Sequence, residues 1–344
     1  MKRLIFRKRN LLEWEEVPEP VISARNQAII RPIAVARCDL DLPIISGKTL
    51  FRPPFPLGHE FVGEVVRVSD DLQNRFNKGD RVIVPFQISC GACPSCHAGN
   101  SKSCESMETH PSDFGMGPTA RKMGGALSEL LLIPHAGHML MPVSPEIDPI
   151  AIASISDNIV EAWKMVGMHM QNAEVQSILV QGGHAPSIGL YCALLAHSMN
   201  KNVVYADFSV ERLEIASGAG IRVMEITESG ALPGRYDLVA DASGTREGFI
   251  SALNAVAPYG IVTTASIFFT NSFEIPYLNL YDKGVRLFIG RVNSFEWIPE
   301  VLQRIENGSF AVRSVVTAVA DFKDAREAMM QPATKLVVRN AATG

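Results

Sequence analysis

Residues 177–207 read SILVQGGHAPSIGLYCALLAHSMNKNVVYAD. The apolar, strand-like run SILVQ leads through a glycine turn into the helix-like run IGLYCALLA, and the second strand-like run NVVYAD follows. Strands that are almost wholly apolar and alternate with helices are typical of a parallel sheet covered on both faces. The alternation continues with VERLEIASGAG, YDLVADASG, EGFISALNAVA and GIVTTAS, and it predicts a doubly wound nucleotide-binding domain.

The first 150 residues have a different pattern. They contain short strand-like runs, QAIIRPIAVA, FVGEVVRVS, DRVIVPFQI and ALSELLLIP, separated by turn signals such as PPFPLGHE and NKGD. This part of the chain is therefore predicted to be β-rich. The segment from about Ser294 mixes helix-like stretches with the strand-like KLVVRN, and its sequence does not indicate which domain it joins.

The composition excludes several classes of protein. The chain has 344 residues, 47% of them apolar, which suggests two domains with cores of their own. With 32 Lys and Arg against 36 Asp and Glu, the net charge of −4 gives no electrostatic basis for binding nucleic acid or an anionic membrane surface. No signal-peptide pattern and no bilayer-length apolar run is visible, so a cytoplasmic protein is expected.

Four cysteines crowd into fifteen residues of the β-rich part. Cys90, Cys93, Cys96 and Cys104 follow the spacing C-x2-C-x2-C-x7-C. Four thiolates on one loop with small intervening residues predict a closed, structural zinc site. Four ordinary reduced cysteines or two disulfides are the alternatives. A zinc ribbon that binds nucleic acid or protein is another, which the acidic composition disfavours.

The motifs around this quartet resemble those of a known family. GHEFVGEVV (58–66), NKGDRV (77–82) and GGALSE (124–129) accompany the cysteines in the order seen in the zinc-dependent medium-chain dehydrogenase/reductase family of alcohol and polyol dehydrogenases. The resemblance implies an α/β protein with a GroES-like, β-rich catalytic domain, residues 1–155 and 295–344, and a Rossmann domain, residues 156–294. It also implies a homo-oligomer, a dimer or tetramer, acting on a small-molecule substrate in the cleft between the domains.

The resemblance places a catalytic zinc on three residues. Cys38 in VARCDLD matches the first ligand, His59 of GHE the second, and Asp157 in ISDNIVEAWKMV the third. The alternatives are a buried core thiol, a buried core histidine and a helix N-cap. Three protein ligands would leave the fourth position for water or a substrate oxygen, as catalytic zinc requires. With the structural site, this makes two zinc ions per chain.

Two further carboxylates match positions near the catalytic zinc of this family. Glu60 corresponds to a residue that lies behind the ion and can approach it during ligand exchange. Asp41 corresponds to one that holds the far nitrogen of the ligand histidine and so sets its tautomer. Without the resemblance, Glu60 could be a buried, paired carboxylate and Asp41 a turn or cap residue.

The glycine turn predicts where a dinucleotide would bind. GGHAPSIG (182–189) lacks the middle glycine of the usual motif and has one extra residue, yet it follows a strand and opens a helix. We expect Gly182, Gly183, Ile188 and Gly189 to form the cofactor turn, with the helix N-terminus receiving a pyrophosphate. A glycine turn in a domain that binds no nucleotide is the alternative.

The next strand ends in a carboxylate that bears on the choice of cofactor. Asp207 lies 18 residues beyond Gly189. At this position it would accept from a ribose 2′-hydroxyl and repel a 2′-phosphate, so NAD(H) is favoured over NADP(H). Arg212, five residues later, is expected at the surface or near the adenine; if it turned to the ribose, that preference would weaken.

One departure from the family keeps a second activity open. The serine or threonine that commonly carries the alcohol proton is replaced by Leu40, and a frequent histidine by Pro43. Hydride transfer between NAD(H) and an alcohol, polyol or matching carbonyl is the expected reaction. The alternatives are reduction of an activated C=C bond, which needs no hydroxyl relay at a carbonyl oxygen, and a non-catalytic protein that binds zinc and nucleotide.

Overall fold

The computed structural model describes residues 1–108, 111–172, 174–227 and 231–340. They form two compact units. The first comprises the described parts of Met1–Val160, Val292–Glu306 and Val316–Gly344, and the second those of Glu161–Arg291 and Asn307–Val315. None of the helices within these described ranges combines the length and the hydropathy that crossing a bilayer requires.

The strands of the described chain, in order, are β1 (Lys2–Lys8), β2 (Leu11–Glu16), β3 (Ala28–Ala36), β4 (Phe55–Pro56), β5 (Glu60–Val68), β6 (Arg81–Ile83), β7 (Leu131–Ile133), β8 (Met141–Pro142), β9 (Ser177–Gln181), β10 (Asn202–Asp207), β11 (Arg222–Glu225), β12 (Tyr236–Asp241), β13 (Val256–Thr264), β14 (Arg286–Phe288), β15 (Ala318–Asp321) and β16 (Leu336–Arg339).

The α-helices are α1 (Asp41–Ile45), α2 (Pro94–His97), α3 (Gly117–Met123), α4 (Ala136–Met139), α5 (Pro149–Ile152), α6 (Asn158–Met165), α7 (Pro186–Ser198), α8 (Val210–Gly218), α9 (Arg246–Ala255), α10 (Tyr277–Lys283), α11 (Ser294–Glu306) and α12 (Ala325–Ala328). Single turns of 3-10 helix lie at Asp70–Leu72, Ser101–Ser103, Gly167–His169, Arg313–Val315 and Phe322–Asp324.

The first unit is built mainly on antiparallel pairing. One sheet has the order β2-β1-β4, and a larger one runs β15-β16-β3-β5-β6-β8, with β7 also paired to β3. The parallel pair β15–β16 is the exception. The long strands β3 and β5 bury side chains on both faces over much of their length, which explains their nearly continuous apolar sequences. The prediction of a β-rich domain is confirmed.

The second unit contains a six-stranded sheet with the order β11-β10-β9-β12-β13-β14. Every pair in it is parallel. This is the strand order of a doubly wound dinucleotide fold, in which the first strand lies in the middle and the chain crosses over beside it. The helix α7 is buried along most of its length, so its apolar residues are not confined to one stripe. The predicted doubly wound domain is confirmed.

Strand pairing shows where the C-terminal segment belongs. β16 pairs antiparallel with β3, with Val337 opposite Ala36. Val337, Ala36, Ala34 and Ala153 then share a small apolar cluster. The sequence alone did not assign this segment, because the partner strand lies about 300 residues earlier in the chain.

Candidate active site

The three predicted zinc ligands lie at the ends of elements in the first unit. Cys38 follows β3, His59 precedes β5, and Asp157 precedes α6. β3 and β5 pair antiparallel with Ala36 opposite Glu60, so the end of one strand lies beside the start of the other. The residues just outside the paired region, Cys38 and His59, are thereby brought together.

The spacing of these side chains fits a tetrahedral zinc ion. Asp157 Oδ2 lies 3.3 Å from Cys38 Sγ and 3.4 Å from His59 Nε2. Zn–S and Zn–N/O bonds of standard length would set these two separations at about 3.5 and about 3.3 Å. The His59 ring is fully buried, yet neither of its nitrogens makes a hydrogen bond within the described structure. A buried imidazole nitrogen in that state is suited to be a metal ligand.

The electrostatics of the site favour a cation. Burial lowers the pKa of His59, but the carboxylates of Asp157, Asp41 and Glu60 outweigh this effect and raise it to about 9. Burial, and after it the charge of Asp157, raises the pKa of the Cys38 thiol well above its usual value. Both shifts reflect an excess of negative charge in a buried place, which a divalent cation would neutralise.

Glu60 lies close to the three candidate ligands and is tethered on one oxygen. Its Oε2 accepts from Lys335 Nζ at 3.1 Å and from the Ser154 hydroxyl. A carboxylate oxygen of Glu60 also lies within 4.8 Å of the donor atoms of Cys38, His59 and Asp157. Burial raises the pKa of Glu60 to about 7 against the opposing charge of Lys335. Glu60 is therefore near enough to serve as an additional ligand.

Asp41 lies beside two of the candidate ligands. Its Oδ1 lies 4.0 Å from His59 Nδ1, and its Oδ2 accepts from the Cys38 backbone N–H at 2.9 Å. Burial raises the pKa of this carboxyl. A carboxylate facing the far nitrogen of a ligand histidine orients the ring and sets which nitrogen holds the proton. The 4.0 Å between Asp41 Oδ1 and His59 Nδ1 is longer than a hydrogen bond, so in this structure the carboxylate faces the ring nitrogen without bonding to it.

Three residues at the site were not predicted from the sequence. Lys335 is fully buried and contacts Glu60 from 275 positions away. The Asn158 side-chain oxygen lies 3.4 Å from Cys38 Sγ. The Arg37 guanidinium donates to the Ala333 carbonyl at 3.1 Å and so holds the C-terminal segment beside Cys38. Of these three residues, only Lys335 had a signal in the sequence, because a lysine stands directly before the apolar strand LVVR.

The four clustered cysteines converge as predicted. Their sulfurs lie within 4.8 Å of one another, and no disulfide joins any of them. Cys93 Sγ and Cys104 Sγ are 4.0 Å apart, close to the edge of about 3.8 Å that a zinc–thiolate tetrahedron has. Burial opposes ionisation of Cys90, but hydrogen bonds from Ser106 and from the backbone lower its pKa to about 6. The donor set fits a closed zinc site.

The glycine turn joins β9 to α7 in the second unit. An added Cβ on Gly189 would lie 3.2 Å from Gly182 Cα, so glycine lets the helix pack against the turn. A Cβ on Gly183 would clash with the backbone of Ser243 in the loop after β12. Ile188 is buried in the first turn of α7. A strand, a glycine turn and a helix in this order are the arrangement that receives a pyrophosphate in dinucleotide folds.

Asp207 lies at the end of β10, as predicted, but it is not an open acceptor. Its side chain is fully buried and forms an ion pair with Arg212, with Nη2 2.6 Å from Oδ1. The sequence predicts Arg212 at the surface or near the adenine, and a position near the ribose is the alternative that would weaken the preference for NAD(H). In the structure the guanidinium contacts the carboxylate.

Comparison with known proteins gives the same architecture. A family model described as "Alcohol dehydrogenase GroES-like domain" matches residues 24–144. A probable zinc-binding alcohol dehydrogenase of Mycobacterium tuberculosis is 27% identical over 90% of this chain and 79% of its own length. An L-threonine 3-dehydrogenase of Streptomyces avermitilis is 31% identical over 72% of this chain and 68% of its own. The structure of the alcohol dehydrogenase TADH from Thermus sp. ATN1 superimposes with a TM-score of 0.86 at 25% identity, covering 98% of this chain and 99% of that one.

A GroES-like domain, a parallel six-stranded sheet of dinucleotide type and two candidate zinc sites define a zinc-containing dehydrogenase. The chain belongs to the zinc-binding medium-chain alcohol dehydrogenase family. It is an alcohol dehydrogenase-like oxidoreductase. The alternative of a non-catalytic protein that binds zinc and nucleotide is therefore wrong.

Proposed function

We propose that this protein transfers a hydride between a nicotinamide dinucleotide and an alcohol or polyol, or the matching carbonyl. NAD(H) is the cofactor predicted from Asp207. The observation that supports the proposal is the position of Asp157 Oδ2, which lies 3.3 Å from Cys38 Sγ and 3.4 Å from His59 Nε2. Cys38, His59 and Asp157 would hold a zinc ion, which when bound supplies Lewis-acid polarisation of the substrate oxygen.

The burial of the three ligands suggests how a substrate would reach them. The side chain of His59 is completely buried, whereas that of Asp157 is 13% exposed. A substrate oxygen would therefore approach from the side of Asp157, and the buried side of the site would hold the imidazole and exclude water. Asp41 would orient His59, and Glu60 would be held close to the ligands by Lys335 and Ser154.

We assign the second zinc to Cys90, Cys93, Cys96 and Cys104, as a structural ion. Four thiolates fill a tetrahedral sphere and leave no position for substrate. Gly182, Gly183, Ile188 and Gly189 would receive the cofactor. Cytoplasmic location and assembly into a dimer or tetramer stay predictions.

A second candidate, reduction of an activated C=C bond, is supported by Leu40. Its backbone N–H donates to Cys38 Sγ at 3.4 Å, so a hydrocarbon side chain is attached beside the ligand thiolate where related dehydrogenases carry a hydroxyl. In this reaction hydride adds to one carbon of the double bond and a proton to its neighbour. A hydroxyl that passes the proton of an alcohol is then not needed.

The test is a cofactor-coupled screen of alcohols, polyols, aldehydes and enones with NAD(H) and NADP(H), combined with zinc analysis. We expect two zinc ions per chain in the wild type and about one in Asp157→Asn, with turnover reduced by about 100-fold or more. Asp70→Ala, which removes an exposed carboxylate of the same unit, is the control and should match the wild type.

The outcomes separate the candidates. Turnover of alcohols or carbonyls supports the first reaction, and NADH consumption with enones alone supports the second. Leu40→Ser should raise alcohol oxidation if the missing hydroxyl limits it. Two zinc ions in Asp157→Asn with undiminished turnover would contradict the proposed site.

A further inference from the structure

The side chain of Lys164, near the end of α6, contacts the carboxyl ends of two neighbouring strands. Its Nζ donates to the carbonyl of Gly290, two residues after β14, at 2.6 Å, and to the carbonyl of Thr264, the last residue of β13, at 3.4 Å. It also forms an ion pair with Glu161, one helical turn earlier. An ammonium group has three N–H donors, so these three acceptors use all of them.

The Lys164–Glu161 pair is buried, whereas the segment that Lys164 holds is open. The two side chains of the pair are only 11% and 9% exposed, so their charges meet little solvent. Ile289 is 71% exposed, and an added Cβ on Gly290 would meet no atom of the described chain within 4 Å. Packing therefore does little to fix the backbone after β14, and the bond from Lys164 is a main restraint on it.

A second buried group joins the neighbouring strand ends. Asp241, the last residue of β12, accepts at Oδ2 from the Thr264 hydroxyl at 2.7 Å. The Thr263 hydroxyl donates to the Met165 carbonyl at 2.9 Å, directly after Lys164. Asp241 thus ties β12 to β13, and Lys164 ties β13 to the segment after β14. The carboxyl ends of three adjacent strands are thereby linked to one another and to α6.

The strand order indicates which half of a dinucleotide these ends would meet. In this sheet β9 lies between β10 and β12, and β13 and β14 lie beyond β12. A dinucleotide lies across the carboxyl ends of such a sheet, with one half on each side of the first strand. The adenosine half is predicted over β10, at Asp207, so the nicotinamide half would lie over the ends of β12, β13 and β14. Those are the ends that Asp241 and Lys164 hold together.

We propose that Lys164 is a positioning residue for the nicotinamide half of the cofactor. With its charge balanced by Glu161, it holds the carbonyls of Gly290 and Thr264 in the arrangement that receives the nicotinamide. Without these bonds the segment after β14 would have to be ordered during binding, and that cost would lower the affinity. The inference rests on the proposed function, because it requires that a nicotinamide dinucleotide binds at the glycine turn.

The test compares NADH with ADP-ribose, which has every part of the cofactor except the nicotinamide ring. Isothermal titration calorimetry on the zinc-loaded protein without substrate gives both dissociation constants. Lys164→Met should weaken NADH binding by about tenfold or more, about the effect of losing one hydrogen bond, and should leave ADP-ribose within about twofold of the wild type. A general loss of structure would weaken the binding of both ligands alike.

A double variant removes the charge problem that Lys164→Met creates. In the single variant Glu161 is left buried without its cation, which destabilises the fold. Glu161→Gln/Lys164→Met has no unpaired charge at this place and should show the same selective loss of NADH affinity. It keeps the test decisive if Lys164→Met folds poorly.

Lys283→Met is the matched control. Lys283 Nζ donates to the carbonyls of Asn254 at 3.1 Å and Val256 at 3.0 Å, so the variant removes the same kind of contact at the amino end of β13. Both dissociation constants should stay at the wild-type values. NADH affinity within about twofold of the wild type in the double variant, or equal losses for NADH and ADP-ribose, would overturn the inference and leave the proposed function standing. A wild type that binds neither ligand would overturn the inference together with the proposed use of NAD(H).

Discussion

Lys335 Nζ lies 3.1 Å from Glu60 Oε2, and both side chains are completely buried. The same ammonium donates to the Arg37 carbonyl at 2.8 Å, immediately before the candidate ligand Cys38. One residue near the C-terminus thus joins the residue that follows His59 to the one that precedes Cys38. The pairing of β16 with β3 has a consequence beyond packing, because it carries a cation into the candidate zinc site.

The first prediction concerns this ion pair. Lys335→Met leaves the Glu60 carboxylate buried without its cation, and the expected cost is about 3–5 kcal/mol of unfolding free energy. In the double variant Lys335→Met/Glu60→Gln no charge is left unpaired, so most of the stability should return. Denaturant unfolding of the wild type, the two single variants Lys335→Met and Glu60→Gln, and the double variant measures both effects. Additive losses in the double variant would show that the two groups do not stabilise each other.

A second prediction separates the two zinc sites. Cys104→Ser removes a ligand from the four-cysteine cluster and should lower the zinc content from about two to about one per chain, with a lower melting temperature. Cys192→Ala is the control, since its thiol is buried in α7 and contacts Met165 Sδ at 3.8 Å, far along the chain from either cluster. It should retain both ions. Full zinc content in Cys104→Ser would argue against a four-thiolate site.

The parts of the structure that could be predicted are those encoded locally. The doubly wound sheet follows from apolar strands alternating with helices, and the cysteine cluster from spacing within fifteen residues. The grouping of Cys38, His59 and Asp157 joins segments about 20 and 100 residues apart, and it needed the family resemblance. Residue periodicity carries no such long-range information.

Contacts set by tertiary packing were beyond prediction. The position of Lys335 depends on a strand pairing across about 300 residues. The bidentate contact of Arg212 with Asp207 depends on a side-chain rotamer, which a pattern of residue types does not specify. Lys335 places a positive charge beside Glu60, and Arg212 places one beside Asp207. The positions of Glu60 and Asp207 themselves were expected from the sequence.

A third prediction links a buried histidine to acid stability. The His169 ring is buried beside Phe288, with ring centroids 4.7 Å apart. Burial, together with the charge of Arg286, lowers the pKa of His169 from 6.5 to about 4. Because the unfolded chain binds the proton first, stability is complete above about pH 6.5 and falls as the pH drops towards 4. The expected loss between pH 7.5 and pH 5 is about 2 kcal/mol.

His169→Phe keeps a buried ring but cannot be protonated. Between pH 7.5 and pH 5 its unfolding free energy should therefore fall by about 2 kcal/mol less than that of the wild type. His197→Gln, at an exposed histidine of the same unit, should retain the wild-type slope. Denaturant unfolding at the two pH values gives the loss of unfolding free energy for each protein. The contributions of all other titrating groups cancel when the losses of two variants are subtracted. Parallel pH curves for wild type and His169→Phe would contradict the assignment.

A fourth prediction concerns the backbone that positions His59. Gly115 has φ of +57°, and an added Cβ would overlap the carbonyl oxygen of Gly58, the residue before His59. That carbonyl also accepts from the Ala126 N–H at 2.7 Å, so it cannot yield without breaking a backbone hydrogen bond. Gly115→Ala should therefore displace His59 and lower occupancy of the site formed with Cys38, in addition to destabilising the fold.

Gly79→Ala isolates the cost of backbone conformation alone. Gly79 has φ of +95°, and a Cβ there would meet no atom within 4 Å, so only the left-handed strain of about 1–2 kcal/mol is expected. Gly115→Ala should cost clearly more than this and should lose about one zinc per chain, while the four-cysteine site keeps its ion. Equal stability and equal zinc content in the two variants would mean that the contact between Gly115 and Gly58 does not position the histidine.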